Sequence, residues 1–140
     1  MSRIVQAARG WLGTPYRHQA SARGAGCDCL GLIRGVWREV HGAEPLPIPP
    51  YTPDWSEPQG EERLHDACAA LLPEGRGELG DLLLFRMRGG AVAKHLGILS
   101  RAGASPAFIH SMSRHGVIES PLSAPWAQRV VARFDLERAA

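Results

Sequence analysis

The sequence predicts an α+β fold, and three observations carry that prediction. Apolar stripes of helical period occupy the first half of the chain, and short strand-like runs separated by turn residues fill the second. Once the strand-like runs begin, no helical stripe interrupts them. Helices first and strands afterwards place N-terminal helices against a C-terminal antiparallel sheet of about five strands. At 140 residues the chain suits one domain, spanning 1–140, with a proper core.

Residues 4–12 carry Ile4, Val5, Ala8, Trp11 and Leu12 at helical spacing, and Gly13 follows as a stop. Thr14-Pro15-Tyr16 opens a loop that runs through Gly24 and Gly26 to Cys27, a loop residue with no assigned role. From Cys29 the apolar residues Leu32, Ile33, Val36, Trp37 and Val40 form a second stripe, closed by His41-Gly42. Glu44 to Pro58 holds six prolines and reads as extended surface chain, either a stiff connector or a docking strip presenting Tyr51 and Trp55. A third helical stripe, Glu61 to Leu72, includes Leu64, Cys68 and Leu71, which makes Cys68 a core residue. Strands are expected over Leu82–Arg86, Ala91–Ser100, Phe108–Met112, Gly116–Leu122 and Arg129–Phe134, the first two joined by an Arg88-Gly89-Gly90 turn.

Composition narrows the function. Apolar residues make up 44% and charged residues 21%, ordinary for a soluble domain, and a net charge of +2 gives no basic face for nucleic acid. No apolar run is long enough for membrane insertion, and the first residues lack the apolar segment of a signal peptide, so synthesis in the cytoplasm is expected. Three cysteines cannot all pair, and Cys27-Asp28-Cys29 is not the Cys-x-x-Cys knuckle of a zinc site. Neither metal nor cofactor is expected.

The chemistry gathers at Cys29. A cysteine in the first turn of a helix meets unpaired N–H groups and the positive end of the helix dipole, which favour a thiolate. By itself it reads as well as a small core residue. Nucleophilic cysteines need an imidazole to take the proton and a third group to orient that imidazole. His18, His41, His65 and His115 fall in loops, helix ends or turns and read as solvated. His95 and His110 each lie inside a strand among aliphatic neighbours, where a histidine is either a satisfied core residue or a base. Tyr16 is either a packed aromatic or a hydroxyl available to substrate or oxyanion.

Five stretches in order, Gly13-Thr14-Pro15-Tyr16, Asp28-Cys29-Leu30-Gly31-Leu32, Gly80-Asp81-Leu82-Leu83-Leu84-Phe85, His95-Leu96-Gly97-Ile98 and Ile109-His110-Ser111, resemble the NlpC-type cell-wall peptidases, whose core is papain-like. The Asp-Cys-Leu-Gly-Leu run, with Trp37 on the same helix, looks most similar to tail-associated peptidases of phages and of gene transfer agents. The resemblance implies Cys29 as nucleophile, His95 as general base and acid, and His110 as the polar third member. It matches Tyr16 to an active-site tyrosine and Asp28 to the acidic residue before the nucleophile, as substrate or oxyanion contacts. Leu30 stands where many members have serine.

The implied reaction is hydrolysis of a peptidoglycan stem peptide, at the bond between γ-D-glutamate and the diamino acid. The implied partners are peptidoglycan and phage-like tail-tip or hub proteins, with action in the periplasm or cell wall. Two other readings keep the fold: a catalytically silent tail component, and an amidase or acyltransferase using the same Cys-His-His set. The helix-start cysteine and the paired strand histidines put the Cys29 sulfur roughly 3–4 Å from one ring nitrogen of His95, loosened somewhat without substrate, with the other nitrogen aimed at His110.

Overall fold

The computed structural model describes residues 2–45, 60–87 and 91–138. Its elements are helix α1 (Arg3–Arg9), the two-residue strands β1 (Ser21–Ala22) and β2 (Gly26–Cys27), helices α2 (Cys29–His41) and α3 (Arg63–Leu71), strands β3 (Asp81–Phe85), β4 (His95–Arg101), β5 (Ala107–Met112) and β6 (Gly116–Pro121), the short helix α4 (Ala124–Ala127), and strand β7 (Val130–Asp135). The five longer strands form one antiparallel sheet in the order β6-β5-β4-β3-β7. The expected α+β architecture, helices then a five-stranded sheet, is the one found.

Period-two alternation divides the sheet into two apolar faces. Leu82, Leu84, Leu96, Ile98 and Ile109 share one face with the stripes of α1 and α2, where Ile4, Trp11, Leu32 and Val36 are buried. Leu83, Phe85, Leu99 and Phe108 share the other face with Leu122, Trp126 and Val130. Strand β3 is buried along its whole length because both its faces are covered. The turn after α1 lies close against α2 at Gly35, where a Cβ would run into the Trp11 ring. Trp11 Nε1 in turn donates to Glu39 on α2.

Gly80-Asp81 is a structural pair. Gly80 takes a positive φ, and the buried Asp81 carboxylate accepts from the Gly77 and Glu78 N–H groups at 2.7 and 3.2 Å, fixing the entry to β3. Trp37 is likewise accounted for by packing, being buried with its Nε1 donating to the Ala43 carbonyl at 2.9 Å.

The structure departs from the sequence reading in several places. Strand β4 starts at His95 rather than Ala91, because residues 91–93 spend their polar groups on side chains. The Ala93 N–H donates to Glu62 at 2.9 Å, and Arg86 donates to the Ala91 carbonyl at 2.6 Å. Helix α4 and the β1–β2 pair were not expected from apolar periodicity, being too short to show one. His41 is not merely solvated: its Nε2 bonds the Leu136 carbonyl at 2.7 Å. Cys68 is buried on α3 as expected. The Arg88-Gly89-Gly90 turn and the strip carrying Tyr51 and Trp55 lie outside the described residues. Among the described residues no helix is long and apolar enough to cross a membrane.

Candidate active site

Asp28 builds the start of α2. It is buried in extended backbone at the N-cap, and its Oδ1 accepts from the Gly31 N–H at 2.7 Å. Its Oδ2 accepts from the Gln19 N–H at 2.7 Å, with His18 Nδ1 at 3.8 Å. One carboxylate thus ties the helix to the loop before it. Gly31 lets that loop approach, since a Cβ there would collide with the Ala20 carbonyl. The resemblance matched Asp28 to a substrate or oxyanion contact; its described hydrogen bonds go to the Gly31 and Gln19 N–H groups.

Cys29 is the first residue of α2 and is half-buried. Its thiol donates to the Lys94 carbonyl at 3.5 Å, and the N–H groups of Leu96, Leu30 and Cys29 itself lie within hydrogen-bonding reach of the sulfur. The sulfur therefore sits against the backbone on both sides of His95. The β4–β5 ladder begins only at Ile98↔Ile109, so Leu96 precedes that pairing. Among the described residues the thiol's hydrogen bond goes to the Lys94 carbonyl rather than to the His95 ring.

The expected link between the histidines is present. His95 Nε2 and His110 Nδ1 are 2.8 Å apart, and His110 Nε2 lies 2.8 Å from Ser120 Oγ on β6. Two tautomer sets satisfy this chain. In one, His95 donates to His110 and His110 donates to Ser120, which leaves a lone pair on His95 Nδ1. In the other every donor is reversed. Phe108 and His110 are two apart on β5 and share a face, and the Phe108↔Ser120 pairing brings Ser120 diagonally beside His110. Phe85, Phe108 and Trp126 close around the pair, with the Trp126 ring 5.8 Å from His95 and 5.2 Å from His110.

This setting decides the protonation states. Burial first, then the adjacent Asp28 charge, push the Cys29 thiol up to about 12, with the three N–H groups offsetting only part of the rise. Burial lowers His95 to about 4; burial and then the neighbouring His95 lower His110 to about 3. The resting site is a neutral thiol beside two neutral imidazoles. That corrects the expectation of a thiolate favoured by the helix dipole: desolvation outweighs the helix terminus here.

Gly13-Thr14-Pro15-Tyr16 threads between β6 and β2. Gly13 and Thr14 exchange backbone hydrogen bonds with Val117, the Pro15 carbonyl accepts from Cys27, and Thr14 Oγ1 accepts from Gly24. Tyr16 is thereby bridged to Cys27, with its hydroxyl in the electrostatic field of Cys29. Burial first, then Cys29 and Asp28, hold that hydroxyl in its protonated form. Cys27 is not the loop residue expected; it is fully buried in β2, with its carbonyl accepting from Ser111 Oγ at 2.8 Å. Among the described residues no three His, Cys, Asp or Glu side chains gather as a metal site.

Ser120, Trp126 and the Lys94–Leu96 backbone escaped the sequence reading. Alternation along β6 could have put Ser120 and Ile118 on one face, but only the register brings Ser120 to His110. Trp126 follows a Ser-Ala-Pro turn, and nothing in its spacing ties it to the histidines.

The site and fold together define a Cys-His-His α+β domain of papain-like design. The chain belongs to the NlpC/P60 family, whose model matches residues 13–134. Among solved structures it is similar to an NLP/P60-family protein, described as similar to lipoprotein, from Staphylococcus aureus subsp. aureus Mu50. That match has a TM-score of 0.59 at 19% identity and covers 95% of this chain. This chain spans 40% of the staphylococcal chain's length. It is also similar to the NlpC/p60 domain of the peptidoglycan hydrolase SagA, with a TM-score of 0.56 at 24% identity, covering 86% of this chain and 87% of that one. No curated protein sequence matches it.

Proposed function

We propose that this chain is a cysteine peptidase that hydrolyses peptidoglycan stem peptides, with Cys29 as nucleophile, His95 as base and then acid, and His110 as the group that orients His95. The hydrogen-bonded chain His95–His110–Ser120, with the sulfur flanked by the backbone on both sides of His95, is the observation that carries the reading. Family membership supports it.

The mechanism starts from neutral groups. With His95 Nε2–H donating to His110, the free Nδ1 lone pair takes the thiol proton once the S–H bond turns from the Lys94 carbonyl. Attack of the sulfur on the γ-carbonyl of D-glutamate gives a tetrahedral oxyanion. The N–H groups near Cys29 and the neutral Tyr16 hydroxyl supply donors for it. Collapse breaks the C–N bond, His95 protonates the departing amine of the diamino acid, and a thioester remains on Cys29. Water, deprotonated by His95, then opens the thioester.

Leu30 brings an apolar surface where a serine would offer a hydroxyl. A lost hydrogen bond to a neutral partner weakens binding by only about 0.5–1.5 kcal/mol, so preference at that subsite relaxes and the scissile bond stays fixed. Carriage on a phage-like tail belongs to the same proposal and rests on the Asp28–Leu32 motif; co-purification with tail particles tests it.

The deciding experiment is digestion of purified sacculi, with mass analysis of the fragments and Cys29→Ala as control. Fragments ending in γ-linked D-glutamate, absent with Cys29→Ala, support the reading. Release at the muramic acid–alanine amide would make the chain an amidase, and no release from sacculi would favour the silent tail component.

A further inference from the structure

Trp126 stands apart from the residues that the reaction needs. It lies on α4, a single turn between β6 and β7, and is only half-buried. Yet its ring contacts four aromatic neighbours: Phe108 at 5.1 Å, His110 at 5.2 Å, Phe85 at 5.4 Å and His95 at 5.8 Å between centroids. The guanidinium of Arg129 stacks on it, 5.5 Å from the ring centre. The Phe85 and Phe108 rings come from the sheet itself. Trp126 comes from outside, reaching across from a short surface turn to the buried pair.

We propose that Trp126 is a positioning residue, a removable aromatic cover that keeps water from the His95–His110 pair and holds the two rings in register. Its consequence for rate rests on His95 being the base. A tryptophan suits the task, since one rigid ring spans both imidazoles and only two side-chain torsions must be fixed. Arg129 pins it from its own side of the turn by cation–π attraction.

Among the described residues, the groups around the pair are these. Cys29, neutral at rest, lies at the start of α2 against the backbone on both sides of His95. From β6 comes the Ser120 hydroxyl; from β3 and β5 come the apolar rings of Phe85 and Phe108. Each histidine faces the other, and Arg129 lies against Trp126. Removing the cover therefore exposes the imidazoles to water, and none of these described neighbours is a carboxylate. Hydration favours the charged form, and both rings become easier to protonate.

The test is ring titration of His95 and His110 by NMR in the wild type and in Trp126→Ala, alongside the pH dependence of sacculus turnover. Trp126→Leu and Trp126→Phe keep apolar volume and serve where the alanine variant does not fold. We expect both midpoints to rise by about one pH unit or more in the alanine or leucine variant, less in the phenylalanine variant, with the acid limb of turnover moving alongside. Variants that melt earlier but keep wild-type midpoints and acid limb would overturn the proposal, since Trp126 would then be only a packing residue. Ring titration needs no substrate. Midpoints that move in a protein inert on sacculi uphold the cover and overturn the peptidase reading, and normal turnover with unmoved midpoints does the reverse.

Discussion

His95 Nε2 and His110 Nδ1 lie 2.8 Å apart on neighbouring strands, in surroundings that hold both rings neutral. Neighbouring imidazoles repel once charged, so their contact is stable only while at most one ring has taken a second proton and become an imidazolium. A base that is neutral at rest and backed by a second neutral ring accepts a proton and shares its charge toward Ser120.

His110→Ala should leave Cys29 in place and remove the acceptor that selects the His95 tautomer. We expect kcat/KM to fall by roughly 10²–10⁴-fold. Alkylation of Cys29 measured at pH 10, where the base matters little, should change far less. Equal losses in both measurements would mean that His110 supports the fold rather than the base.

Acid should unfold the protein from the histidines outward. Unfolded histidines bind protons near 6.5, whereas folded His95 waits until about 4 and His110 until about 3. Between those limits the unfolded chain binds more protons, so stability falls as pH drops through the window and is unaffected by these groups above it. Each histidine removes up to about 1.4 kcal/mol per pH unit there. Denaturant melts at pH 7.5, 6 and 5 check this, and a midpoint flat down to pH 5 would contradict it. Activity follows the same sign, with its acid limb well below 6.5.

The resting thiol sets a third expectation. With Cys29 pushed up to about 12, and Cys27 and Cys68 to about 11, iodoacetamide should find little thiolate at pH 6 at any of them. Cys29 is the half-exposed one, so its labelling should lead and should keep rising through pH 9. Peptide mapping across a pH series decides it. A Cys29 rate that is already maximal by pH 6 would show a thiolate–imidazolium pair instead.

Gly31→Ala places a methyl group against the Ala20 carbonyl, which backbone cannot yield without moving the loop. Overpacking of this kind costs about 1–3 kcal/mol. The displaced loop also carries the Gln19 N–H that holds Asp28. We expect a lower melting temperature together with a loss of activity larger than the unfolded fraction explains. Wild-type activity in the folded fraction would show that the loop does not position Cys29.

What could be read in advance follows from range. The α2 stripe from Cys29 to His41, the strand succession and the two strand histidines all depend on local period, and the sequence displays them directly. Strand β4 was misplaced at its start because Ala91 and Ala93 bond Arg86 and Glu62, partners distant in the chain. Ser120 was invisible because its contact with His110 depends on the β5–β6 register. The protonation state of Cys29 was misjudged for the same reason: the helix start is local, and the burial that outweighs it is tertiary. The hold of Asp28 on the Gln19 N–H was hidden for the same reason, since it depends on how the preceding loop folds back onto α2.

The central claim is that Cys29 carries the acyl group during turnover. Rapid acid quench of the protein with a stem peptide containing the γ-D-glutamyl to diamino-acid bond, followed by peptide mass mapping, tests it most directly. A transient mass gain is expected on the Cys29 peptide, equal to the fragment ending in D-glutamate, sensitive to hydroxylamine and absent in Cys29→Ala. Turnover of the same peptide by Cys29→Ala at the wild-type rate, or an acyl group trapped on Cys27 or Cys68, would contradict it.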